Sequence, residues 1–209
     1  MAYHGYIPHI KTFLAQIPEP RILEVGLDKG ITTIPLIAHL ARSHTKSLYF
    51  GIDIHLQEAL KLTLGFLTLA EKQTVQIYEG NSLEALPKLA AEGIQFDLIL
   101  LDGDHNYYTV IRELGYLDTL THSGSVVIVD DYHGRWAQRD LWYSEREGWG
   151  GVRATPRQET ELQGVGTAVD AWIAENPHWE LSTPLAQGEP AVLKRRPGPP
   201  SPQLSQPAG

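Results

Sequence analysis

A chain of 209 residues, 42% of them hydrophobic and 20% charged, is long enough for one well-buried domain and short for two. A formal net charge of -8 with no basic face argues against nucleic acid as a partner, and the absence of cysteine excludes disulfides, thiolate metal sites and thiol catalysis. The N-terminus lacks a basic-then-apolar signal pattern and no apolar run has the length of a bilayer span, so the expected location is cytoplasmic, away from membranes.

Residues Tyr6 to Ile17 place Ile7, Ile10, Phe13, Leu14 and Ile17 at helical spacing, and Pro18 and Pro20 end that helix. Arg21 to Val25 then reads as a short buried strand running into a turn bracketed by Gly26 and Gly30. Glycines at such a turn let backbone N–H groups approach a ligand, and the following helix start adds partial positive charge. Glu24 at the strand end supplies a carboxylate for a cationic or hydroxylated ligand group. Thr32 or Thr33 can cap the next helix, which carries Pro35 in its first turn and runs to about Ser43.

The same alternation repeats down the chain. Ser47 to Ile54 is a strand ending at Asp53, and Leu56 to Ala70 a helix with a weak point at Gly65. Thr74 to Tyr78 is a strand ending in Glu79-Gly80-Asn81-Ser82, followed by a helix through Leu89 that Pro87 shortens or kinks. Phe96 to Leu101 is a nearly all-apolar strand ending in Asp102-Gly103-Asp104-His105, and Tyr107 to Leu120 is helical. Ser125 to Val129 is another continuous apolar strand, ending in Asp130-Asp131-Tyr132-His133. Strands and helices in alternation predict a doubly wound α/β sheet, whose ligands gather at the carboxyl ends of the strands. Glu24, Asp53, Asn81, Asp102 and Asp130 all stand at such ends.

The rhythm breaks after Asp131. Tyr132 to Gly164 is polar, Gly- and Arg-rich, and carries Trp136, Trp142, Tyr143 and Trp149. It reads either as a lid over an acceptor or as plain packing. A helix at Val165 to Glu175, a strand at Trp179 to Pro184, a turn at Gly188 and a strand at Ala191 to Arg195 form a closing hairpin. The domain therefore spans residues 1–196, and the Pro- and Ser-rich residues 197–209 read as a disordered tail. The small basic cluster Lys194-Arg195-Arg196 reads as a solvated strand end.

Glu24-Val-Gly26-Leu-Asp-Lys-Gly30, with Asp53 and Asn81-Ser82 at the next two strand ends, resembles the class I S-adenosylmethionine-dependent methyltransferases. Within them, Phe96-Asp-Leu-Ile-Leu-Leu-Asp-Gly-Asp-His105 and Val127-Val-Ile-Val-Asp-Asp-Tyr132 are similar to the subgroup of macrocin-type sugar O-methyltransferases and cephalosporin-hydroxylase-like proteins. The resemblance implies a mostly parallel seven-stranded sheet, α/β and Rossmann-like, with a C-terminal antiparallel hairpin. It also implies an S-adenosylmethionine site made by Glu24, Gly26, Gly30, Thr32, Asp53, Ile54, Asn81, Ser82 and Asp102. Magnesium ligands Asp102, Asp130 and Asp131, with His105 as general base, follow from the same source. Relatives often have Glu-Asp or Asp-Asn where this chain has Asp130-Asp131, and the N-terminal region is short.

Each residue also has a plainer reading. The glycine turn can exist without a ligand, and Asp53 can be a helix cap or a solvated strand end. Asn81-Ser82 can be an ordinary cap, and His105 an inert partner of Asp102. Asp104 either substitutes for a neighbouring ligand or caps the helix at Tyr107, and His133 is a second candidate base. The expected activity is metal-assisted O-methylation of a small-molecule hydroxyl, on a sugar or polyketide-type metabolite. Edge strands and the N-terminal helix offer surfaces for a homodimer. The alternatives are a hydroxylase-like enzyme on the same scaffold, or a partner module that retains the fold without catalysis.

Overall fold

The computed structural model describes residues 5–43, 46–67, 74–140, 163–182 and 190–196. Trp142, Tyr143, Trp149, the turn at Gly188 and the tail 197–209 lie outside the described residues. The elements follow in the order α1 (Ile7–Leu14), β1 (Arg21–Val25), α2 (Thr33–Ser43), β2 (Leu48–Asp53), α3 (Glu58–Leu67), β3 (Thr74–Glu79) and α4 (Ser82–Ala91). They continue with β4 (Phe96–Leu101), α5 (Tyr107–Leu114), α6 (Leu117–Leu120), β5 (Thr121–Val129), α7 (Gly164–Glu175), β6 (Trp179–Ser182) and β7 (Ala191–Arg195).

The strands form one sheet in the order β3-β2-β1-β4-β5-β7-β6. β1 to β5 pair in parallel and β7 pairs antiparallel with both β5 and β6, as expected. Alternate residues of each strand feed two separate cores. Ile22, Leu98, Leu100 and Ile128 pack under α1, α2 and α3 with Ile10, Leu14, Leu36, Leu40 and Leu60. Leu23, Ile99, Leu101 and Val127 pack on the other face, with Leu86, Leu114, Val169 and Trp172 from α4, α5 and α7. Both faces of the parallel strands are thus covered, which is why their sequences read as continuous apolar runs.

Several boundaries differ from the sequence reading: α1 ends at Leu14 and not Ile17, α3 starts at Glu58 and not Leu56, and α4 runs past Pro87 to Ala91. The helix from Tyr107 is broken at Gly115, where its amide still bonds to Ile111 and the chain restarts as α6. β5 begins at Thr121, four residues before the apolar run, because polar residues hold its first part. There the His122 N–H donates to Ser125 Oγ at 2.8 Å, and Ser125 Oγ donates to Phe96 O at 2.6 Å. The β4–β5 register shifts between Phe96 and Leu98 to absorb the irregularity.

Asp118 in α6 ties the terminal hairpin to the body. It accepts from His178 Nε2 at 2.9 Å, Trp179 Nε1 at 2.9 Å and Arg195 at 2.8 Å. Its partial burial alone would raise its pKa, but these donors outweigh that and pull it down to about 2. The stabilisation is therefore present above the usual carboxylate pKa and is lost as pH falls towards 2. Asp118→Ala is expected to cost about 1 kcal/mol at neutral pH, the group being half exposed and screened by solvent. Urea unfolding at pH 7 and pH 3 checks this: the deficit should shrink at the lower pH.

Candidate functional site

The order of the strands reverses between β1 and β4, and the chain ends there are packed close together. Gly26 adopts φ +88°, a region favouring glycine, and a Cβ on it would lie 2.0 Å from the Asp102 carbonyl oxygen. Its own N–H donates to Ile52 O at 2.8 Å, and the Gly30 N–H donates to Leu27 O at 2.7 Å. These two amides are therefore spent inside the protein. What Gly26 permits is the contact between the β1 and β4 loops at the crevice.

Asp53 organises the other side of that crevice. Its carboxylate accepts from the Leu27 N–H at 2.6 Å, the Asp28 N–H at 2.9 Å and the His55 N–H at 2.8 Å. A carboxylate offers roughly four lone-pair sites, so about one remains for a ligand hydroxyl. The cap reading and the ligand reading are both served by this geometry. Ile54 follows Asp53, half-buried in the turn after β2, and Thr32 is buried where α2 begins.

Glu24 occupies a different post from the ligand-facing carboxylate the sequence suggested. It is 1% exposed, on the sheet face covered by α2, and accepts hydrogen bonds from Thr33 Oγ1 at 3.2 Å and from the Tyr49 hydroxyl. Burial pushes its carboxyl up to about 8 despite these donors, with Asp102 and Asp53 adding to the rise. Asn81 likewise serves locally: its side chain accepts from the Leu83 N–H at 2.9 Å and caps α4. Ser82 is buried and donates to Glu113 Oε1 at 2.6 Å, so contact with a ligand would require breaking that pair.

The acidic strand ends do converge. Parallel pairing sets Leu101 beside Val129, so the following residues, Asp102 and Asp130, emerge side by side. His105 turns back from the start of α5 to meet them. Its Nε2 is 3.1 Å from Asp102 Oδ1 and its Nδ1 is 3.0 Å from Asp131 Oδ2. Burial lowers the pKa of the ring, but the bonds to Asp102 and Asp131 and the charge of Asp130 outweigh it and raise it to about 10. The imidazole is thus held as a cation between carboxylates. Asp130 is 5% exposed, and its carboxyl is pushed up by burial first and then by the negative charge of Asp102.

Asp131 takes a left-handed backbone conformation with φ +57°, the turn that two neighbouring acidic residues need to share one site. Even so, the grouping differs from the expected ligand set. Donor atoms of Asp102, His105 and Asp130 all lie within 4.8 Å of one another, whereas Asp131 joins them through His105. Asp104 is tied to the helix, accepting from Thr109 Oγ1 at 2.8 Å, and His133 is exposed against the Tyr132 ring. No helix among the described residues is long and apolar enough to cross a membrane.

Two features of the site were not anticipated. Glu113 is buried behind His105 and carries a carboxyl raised to about 8, chiefly by burial. The signal was present: Val110, Glu113, Leu114 and Leu117 fall on one helical stripe, so position 113 lies on the inward side. The second is Asp140, whose Oδ1 accepts from the Tyr107 N–H at 2.8 Å and the Gly164 N–H at 2.9 Å. It caps α5 from 33 residues away and pins the chain after β5, which no local pattern encodes.

A family model described as a methyltransferase domain matches residues 23–132, more than half of the chain. No curated protein matches. Among solved structures, cofactor-bound Rv0187 from MTB is 18% identical with a TM-score of 0.59, over 93% of this chain and 81% of that one. Apo CalS11, described as a TDP-rhamnose 3'-O-methyltransferase of calicheamicin biosynthesis, is 16% identical with a TM-score of 0.57, over 91% and 77%. MycE methyltransferase from the mycinamycin biosynthetic pathway, in complex with Mg, SAH and mycinamycin VI, is 17% identical with a TM-score of 0.56. The alignment covers 91% of this chain but only 48% of MycE, so the chain spans about half of that protein's length. At these identities the likeness is one of fold.

Proposed function

Because the chain belongs to the methyltransferase-domain family, we propose that it is an S-adenosylmethionine-dependent O-methyltransferase assisted by a divalent cation, acting on a small-molecule hydroxyl. The observation that carries this reading is the convergence of Asp102, His105 and Asp130 beside the β1–β4 crevice. The donor set fits a hard cation: carboxylate oxygens are the ligands magnesium prefers, and Asp130 already feels the crowding of Asp102. Asp102 and Asp130 would hold the ion, with Asp131 holding His105. The crevice fits the cofactor through the remaining acceptor site on Asp53.

Bound there, the cofactor supplies an already activated methyl group and the cation stabilises negative charge on the acceptor oxygen. The protein's own contribution is alignment and proton removal. Asp102 and Asp131 fix the plane of the His105 ring, so a hydroxyl at the acidic cluster meets an imidazole of set direction. The negative charge of Asp102 and Asp130 that keeps His105 cationic would be offset by the ion they hold, so the ring could then lose its proton and serve as the base, with Asp131 favouring the imidazolium that results.

Calorimetric titration of S-adenosylhomocysteine is the first test. Binding with a Kd of order 1 μM, about 8 kcal/mol, is expected. Mg²⁺ titrated into that complex should give a second heat that Asp130→Asn removes. Absence of cofactor binding with and without Mg²⁺ would overturn the methyltransferase assignment; a Mg²⁺ heat unchanged by the substitution would overturn the metal clause alone.

A further inference from the structure

The turn that follows Asp131 carries a cationic and aromatic group which the mechanism leaves unused. The guanidinium carbon of Arg135 lies 4.7 Å from the Trp136 ring centroid and that of Arg139 lies 4.8 Å from it. Both arginines are exposed, and among the described residues no carboxylate pairs with either. A single cation would satisfy the ring face. With two, the group carries a double positive charge that an anion within reach of both guanidinium groups would offset.

The group is built into the fold. The N–H of Val165 donates to Trp136 O at 3.0 Å, and that of Gly166 to Ala137 O at 2.8 Å. At Gly164, φ is +76° and a Cβ would stand 2.3 Å from Trp136 O, so the start of α7 closes onto the turn as only glycine allows. Asp140 pins the far end through its bonds to α5 and α7. The backbone N–H of Arg135 also bonds to the Asp131 carboxylate, whose Oδ2 is the atom 3.0 Å from His105 Nδ1. The aromatic and cationic surface therefore begins one residue contact away from the reacting groups.

We propose that Arg135, Trp136 and Arg139 form an acceptor subsite for an anionic group, a phosphate or a carboxylate, borne by the molecule whose hydroxyl reaches His105. This rests on the O-methyltransferase reading above. The arginines bind the anion by forked, charge-assisted hydrogen bonds, and Trp136 offers its ring as the wall beside them. In a chain of net charge -8, such a patch next to an acidic cluster selects for acceptors with a charge at one end and a hydroxyl at the other.

Matched probes test it by calorimetry on the S-adenosylhomocysteine complex with Mg²⁺: glucose against glucose 6-phosphate, and catechol against 3,4-dihydroxybenzoate. At least one anionic member should bind about tenfold more tightly than its neutral partner. Which pair shows the gap separates phosphate from carboxylate. Arg135→Ala/Arg139→Ala should abolish the gap while leaving cofactor affinity and thermal midpoint unchanged; Arg135→Lys/Arg139→Lys should restore part of it. Equal affinity within both pairs, no binding by either anionic probe, or a gap that survives the double alanine variant would overturn the subsite. If the cofactor itself fails to bind, the methyltransferase assignment falls, and the same titrations on the free protein still read the subsite.

Discussion

His105→Ala is expected to lower methyl transfer to a hydroxyl acceptor by about a hundredfold to ten-thousandfold, the usual worth of a positioned general base. Binding of S-adenosylhomocysteine should stay within a factor of about 2, because Asp53 is held by the Leu27, Asp28 and His55 amides, which the substitution leaves in place. A purely structural histidine would lose activity through misplacement, so a second readout is needed. Free imidazole diffusing into the vacated space should restore part of the rate in the alanine variant and do nothing for wild type. Removing the ring also removes an imidazolium from among Asp102, Asp130 and Asp131, so the variant should melt lower in metal-free buffer. Added Mg²⁺ should then raise its melting temperature more than that of wild type. Full turnover in His105→Ala would end the base assignment; equal Mg²⁺ shifts in both proteins would show that the ion sits elsewhere.

Much of this site was legible because parallel strands convert sequence position into spatial position. An apolar run ending in a polar residue marks a strand end, and parallel register carries neighbouring strand ends to the same edge of the sheet. The resemblance implied that Asp102 and Asp130 share a site, and the register that sets Leu101 beside Val129 gives the physical reason they emerge together. The roles of Glu24 and Ser82 were hidden for a different reason. Their partners, Tyr49 and Glu113, lie 25 and 31 residues away, and no local pattern says which polar atoms a packed helix will bury together. Asp131 illustrates both cases. Its place beside Asp130 follows from the chain, but its attachment to His105 in preference to the cluster depends on a left-handed backbone turn. The Arg135-Trp136-Arg139 group has no periodicity at all; it becomes visible once Gly164 and Asp140 fix the turn.

Glu113→Gln should flatten the pH dependence of stability. The Glu113 carboxyl is 2% exposed, and burial raises it from 4.5 to about 8, with Ser82 pulling it back and Asp104 adding to the rise. The unfolded chain ionises this group near its ordinary value, while the folded protein keeps the proton. Its contribution is therefore fully present below pH 4.5 and drains away as pH rises through about 8. The whole interval corresponds to a ceiling of about 5 kcal/mol, an appreciable share of the stability of a single domain. Glutamine has nothing to ionise and retains an oxygen to accept from Ser82 Oγ, so the variant should match wild type near pH 5 and exceed it by a few kcal/mol near pH 8.5. A residual slope should persist from Glu24, whose carboxyl burial also raises to about 8. Urea unfolding at the two pH values decides the matter. Curves displaced equally at both would mean that Glu113 folds already ionised, leaving His105 with a fourth negative neighbour and the balance of charge at the site different from the one described.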